Sequence, residues 1–153
     1  MNKSEVPPVE AQTFLHRSER GELRIWLAAP TVLVFKYKGH SDSDYVRFIG
    51  EVFEKTLANK QQPTHVFVDC EEQTGFDQGF RRDIAKWSAG VAPTTETYCI
   101  LVRSRVVALG IALSQVAVGK VARHVQVMAD RATFRNKLEL AVQRSLTDCA
   151  VAS

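Results

Sequence analysis

From Thr31 onward the apolar residues switch repeatedly between two spacings, and this narrows the possible folds more than anything else in the chain. Thr31–Tyr37 (TVLVFKY) is a β-branched and aromatic run of the kind that fills a buried strand. Tyr45, Phe48, Ile49, Val52, Phe53 and Leu57 then recur at steps of three and four, which draws one apolar face of a helix. His65–Asp69 (HVFVD) reads as a strand again, and Phe80, Ile84 and Trp87 read as the inward face of a second helix, with Phe76 packing beside its start. Thr97–Val102 is a further strand after Pro93, and Ser104 can cap a third helix reaching Val118. Gly119 suits its exit, His124–Met128 is another strand, and Asp130 caps a last helix bearing Phe134, Leu138, Ala141 and Val142. Helices between strands act as crossovers, so the sheet must contain parallel pairing.

Upstream of Thr31 the pattern differs. Thr13–Arg17 is a short extended run, and Glu19-Arg20-Gly21 reads as a turn. In Glu22–Ala28, Leu23, Ile25 and Leu27 alternate with Glu22, Arg24 and Trp26, the signature of a half-buried strand. Short connections predict antiparallel pairing for these first strands. The whole is an α/β single domain, a mixed β-sheet flanked by about four helices in the order β-β-β-α-β-α-β-α-β-α. Residues 1–12, with Pro7-Pro8, read as a flexible tail, 13–147 as the domain and 148–153 as a second tail. At two helix starts, Ser41 and Asp77 are the expected caps, with Asp42 and Asp44 favourable near the first.

Composition sets the class. With 153 residues, 45% hydrophobic and 24% charged, the chain suits one soluble globular domain. Its richest apolar stretch, Val106–Val118, is interrupted by Ser114 and Gln115, so no membrane span is expected. No secretory leader pattern is visible at Met1–Glu5. Cys70, Cys99 and Cys149 are widely spaced and odd in number, which suits reduced thiols in a cytoplasm. The net charge of +3 is uneven: 9 Lys/Arg against 11 Asp/Glu over 1–76, but 11 against 6 over 77–153. That surplus can attract an acidic face, but it is too small and too scattered for nucleic acid.

The chemistry-bearing residues gather in one place. Asp69, Glu71, Glu72 and Asp77 surround the segment after the His65–Asp69 strand, with Thr74-Gly75 as its hydroxyl-glycine pair. Four carboxylates could draw a divalent cation, but the neighbouring strand ends offer Lys36, Lys38, Arg103 and Arg105 instead of further acids. Cys70 has Phe76 where a thiolate phosphatase needs an arginine, and Glu71 and Glu72 would disfavour its thiolate. No phosphate-binding, dinucleotide, zinc-protease or nucleophile-elbow motif occurs. No enzyme, metal or cofactor is expected. The predicted helix over 104–118 carries an inward stripe and a second one, Val107, Ile111, Ser114 and Val118, on another face. Framed by Arg103 and Arg105, that second stripe is a candidate surface for a protein partner, a second copy of the chain or a lipid.

Three stretches together, HVFVDCEEQTGFDQGFRRDIAKW, YCILVRSRVVALGIA and VQVMADRATFRNKLELA, resemble the STAS superfamily and, more narrowly, its bacterial SpoIIAA-like (STAS/SEC14-like) group. The resemblance covers about Gly21 to Val142. It implies a regulatory, non-catalytic module that binds a protein partner, with lipid or small apolar ligand binding as the alternative. Phosphorylatable members carry Asp-Ser-Ser-Gly after the corresponding strand. Here Asp69 matches the aspartate, Cys70-Glu71-Glu72 follows it, and Thr74-Gly75 stands further along as the candidate phosphoacceptor pair.

Overall fold

The computed structural model describes residues 13–57, 60–105, 107 and 125–152. Its strands are β1 (Thr13–Arg17), β2 (Gly21–Ala29), β3 (Val32–Ser41), β4 (Thr64–Phe76), β5 (Thr95–Leu101) and β6 (Val125–Met128). The helices are α1 (Ser43–Thr56), α2 (Gln78–Val91) and α3 (Arg131–Ala152), with a 3-10 turn at Ala92–Thr94. All six strands form one sheet in chain order, β1-β2-β3-β4-β5-β6. The first two junctions are antiparallel and the last three parallel. The mixed single-domain sheet expected from the sequence is what the chain forms.

The layering follows from handedness. Successive parallel strands that always step the same way, joined by right-handed crossovers, place their helices on one face. Accordingly α1 and α2 share a core with Leu23, Ile25, Leu33, Phe35, Val66, Val68 and Ile100. Ile49 and Val52 of α1 are almost fully buried there, each contributing about 1.5–3 kcal/mol by leaving water. Trp87 of α2 closes the layer, with its ring 5.8 Å from both Phe35 and Phe53. α3 follows the last strand and covers the opposite face, where Phe134, Leu138 and Ala141 pack on Val32, Val34, Phe67, Cys99 and Leu101. Phe134 meets Phe67 edge-on at 5.6 Å. Near its far end, the buried Ser145 hydroxyl accepts hydrogen bonds from the Thr31 amide (2.9 Å) and hydroxyl (2.6 Å).

Several expectations are corrected. Three α-helices have both ends among the described residues, and the expected helix over 104–118 is described only at its start. Arg105 and Val107 are helical, but Ile111 and Val118 lie outside the described residues. So does the expected N-terminal tail, 1–12. The C-terminal tail assigned to 148–153 is helical through Ala152. Val107, assigned to an outer stripe, is 1% exposed and packs in the α1–α2 core, so its side chain is not available to a partner.

The largest difference is at β4. The segment Asp69–Asp77, expected as a loop, continues the strand to Phe76, paired with β3 as far as Ser41. β5 pairs with β4 only as far as Asp69–Leu101, so the rest of β4 has a strand on one side alone among the described residues. A polar sequence is stable in such an edge position, and that polarity gives it the look of a loop. β3 reaches that far because Gly39 adopts φ +75° against Gly21. A Cβ on Gly39 would lie 2.4 Å from the Arg20 carbonyl oxygen.

Candidate functional site

In open α/β sheets, ligands and partners gather at the carboxyl ends of parallel strands. Here that end brings together His40 and Ser41 of β3, Asp69–Phe76 of β4, and the starts of α1, α2 and α3. The four carboxylates singled out in the sequence all lie in this region, each paired with a basic side chain of the same chain.

Asp69 is buried at the point where β5 ceases to pair. One of its oxygens accepts from the Glu71 amide at 3.0 Å, and the other accepts from Arg131 of α3 at 2.8 Å. The same guanidinium binds Glu71. Partial burial works against the charge on Arg131. The hydrogen bonds and charges of Asp69 and Glu71 outweigh it and raise the guanidinium's pKa. Glu72 is exposed and lies 3.4 Å from the Lys36 ammonium. Asp77 occupies the N-cap position of α2 but does not cap it. Its carboxylate lies 2.5 Å from His40 Nε2. His40 reaches it across Gly75, where a Cβ would come within 3.3 Å of His40 Nδ1.

The caps shift by one residue at α1. Ser41 is buried in β3 and accepts from the Gln73 amide at 2.9 Å, while Asp42 caps α1 through the Asp44 amide. Asp130 behaves as expected. A hydrogen bond from the Thr133 hydroxyl, then one from the Ala132 amide, holds its carboxyl below the usual range. Thr74 falls at a register shift of β4, exposed, directly before Gly75. Arg103 and Arg105 are exposed beyond β5.

Burial pushes the Cys70 thiol up, reinforced by the charge of Asp69. The residue is packed in the core rather than presented to solvent. Among the described residues no group of three or more His, Cys, Asp or Glu has metal-site geometry. No described helix is long and apolar enough to cross a membrane.

Sequence reasoning missed Arg131 and His40 as partners of these acids, and named Lys36 only as a cation at a neighbouring strand end. Arg131 is 62 residues from Asp69, so no local spacing could join them.

No family model and no curated protein matches the chain. Among solved structures it is similar to an uncharacterized protein of the DUF3478 family, described as having a SpoIIAA-like fold, from Shewanella loihica PV-4. The identity is 14%, the likeness covers 82% of this chain and 91% of the other, and the TM-score is 0.54. At that identity the likeness speaks for architecture alone. The chain has a SpoIIAA-like fold.

Proposed function

We propose that the chain is a non-catalytic, regulatory protein-interaction module that works in the cytoplasm through the carboxyl end of β4. The observation that carries this is the exposed Thr74, set between carboxylates that are already committed to Arg131, Lys36 and His40. Carboxylates so engaged form a firm platform and leave the Thr74 hydroxyl as the outward-facing reactive group. Phosphate there would add about −1.5 to −2 charge beside Glu72 and Asp77, and so repel a partner. A second copy of the chain is one partner of this kind. Affinity capture from the native host, with wild type, Thr74→Ala and Thr74→Glu compared, tests the reading. Thr74→Ala should retain a partner that Thr74→Glu loses. If Thr74→Glu folds by circular dichroism and retains every partner, the reading is wrong.

A further inference from the structure

The two faces of the sheet are covered unequally. α1 and α2 cover one face, and α3 is the one helix on the other among the described residues. α3 lies diagonally, from Asp69 of β4 at its start to Thr31 at the β2–β3 turn near its far end. Beside it, β1, β2 and β3 form a wedge that no described helix covers. The register puts Leu15, Arg24 and Lys36 in one row of that wedge, with Lys38 and Trp26 in the rows on either side. The flank of α3 that faces it follows from helical phase. Lys137 and Arg144 lie on the β5 side, where Arg144 binds Glu96 and Lys137 acts on Cys99. Arg131 and Arg135, one turn apart, therefore line the side toward β3 and β2.

Two features of this wedge call for an occupant. The first is charge. Arg17, Lys36 and Arg131 are paired with Glu22, Glu72 and the Asp69–Glu71 pair, whereas Arg24, Lys38 and Arg135 have no acidic partner among the described residues. The second is a pair of stranded donors. The Trp26 indole N–H and the Arg135 Nε–H are shut off from solvent, and neither has an acceptor among the described residues. Leu15, 42% exposed, adds apolar surface beside them.

We propose that this wedge docks an acidic amphipathic helix from a partner protein. Strands stand about 4.8 Å apart and a helix is about 10 Å across, so two strand spacings take one helix laid beside α3 and complete its layer. Carboxylates of that helix face Arg24, Lys38 and Arg135, and its apolar side rests on Leu15 and Trp26. Arginine and tryptophan are the side chains most enriched where such interfaces gain their affinity. The inference rests on the interaction-module reading and adds a second surface and the chemistry of its partner.

The test uses the full chain labelled with nitrogen-15 and follows the two indole N–H resonances, with Trp26→Phe assigning them. The probe is a synthetic helical peptide with leucines on one face and glutamates on the other, and a lysine version is its control. The acidic peptide should move the Trp26 indole signal and leave that of Trp87 in place. Its affinity should fall at least tenfold with Arg24→Glu plus Lys38→Glu, and it should weaken as salt rises. No movement at millimolar peptide, or equal binding to the charge-reversed protein, overturns the proposal. An equal shift with inorganic phosphate or with anionic vesicles overturns it in favour of a small anion or a lipid. Movement of the Trp26 signal on deletion of residues 1–12 alone overturns it in favour of the chain's own N-terminal segment. If Arg24→Glu plus Lys38→Glu still captures a Thr74-dependent partner while failing the peptide test, this groove falls and the module reading stands.

Discussion

Replacing Ser145 with alanine should destabilise the protein by about 2–3 kcal/mol, a large effect for one oxygen atom. Ser145 is fully buried and its hydroxyl is the acceptor for both the amide and the hydroxyl of Thr31. Alanine fits the space but accepts nothing. A buried donor left without a partner costs about 1–3 kcal/mol. The Thr31 amide is fixed by the turn and bears that cost in full, while its hydroxyl can rotate and bears less. For a chain of this length, each kcal/mol lowers Tm by about 2–4 °C, so a fall of about 4–12 °C is expected. Urea unfolding read by linear extrapolation gives the energy, and calorimetry gives Tm. Thr31→Val should cost clearly less in the Ser145→Ala background than in wild type, because the pair shares one interaction. A loss below about 0.5 kcal/mol, the range of an ordinary surface change, would refute the reasoning. α3 would then be held by its apolar contacts alone.

Burial lowers the pKa of His65, whose Nδ1 is 3.0 Å from the Thr97 hydroxyl and whose Nε2 is sealed without a partner. The unfolded chain therefore takes up this proton first. Its contribution to stability is complete above about pH 6.5 and is lost as pH falls toward the lower folded value, by at most about 1.4 kcal/mol per unit. Urea midpoints at pH 7.5, 6 and 5 should show this slope in wild type and a shallower one in His65→Gln. Gly39→Ala should cost about 2 kcal/mol or more, measured by urea unfolding, since it combines a left-handed φ with an overlap on the Arg20 carbonyl. Alkylation of the native protein at pH 8 should label Cys149 first. The Cys70 thiol is buried and its pKa raised, and burial lifts that of Cys99 to about 11, so mass spectrometry should find these two modified only after unfolding.

The sequence disclosed the sheet wherever a strand or helix is buried along a full face. Thr13–Arg17, the α1 stripe from Tyr45 to Leu57 and the Phe134–Ala141 stripe all stand where periodicity placed them. It concealed what depends on distant partners. Glu71–Phe76 is strand because it pairs with β3 as far as Ser41, and the Asp77 carboxylate meets His40 instead of capping its own helix. The acids of the candidate site were legible as a cluster, since they are close in sequence. Arg131 was not, because it reaches them through the fold from 62 residues away. Trp26 and Arg135 were unreadable as a pair for the same reason, since one is on a strand of alternating pattern and the other on a helix flank.

A sheet whose strands lie in chain order has a consequence for how the protein is made. Each new strand can join an edge that is already present as it leaves the ribosome, so most pairing needs only short-range closure. α3 is the exception. Thr31 waits 114 residues for Ser145, and Val32, Val34, Phe67, Cys99 and Leu101 wait with it for the last helix to emerge. Throughout that interval the nascent chain presents a finished sheet with one oily side, the kind of surface that chaperones bind and that aggregates if synthesis stalls. A premature stop between Met128 and Phe134 would fix the protein in that state, with its strands formed and no means of covering them.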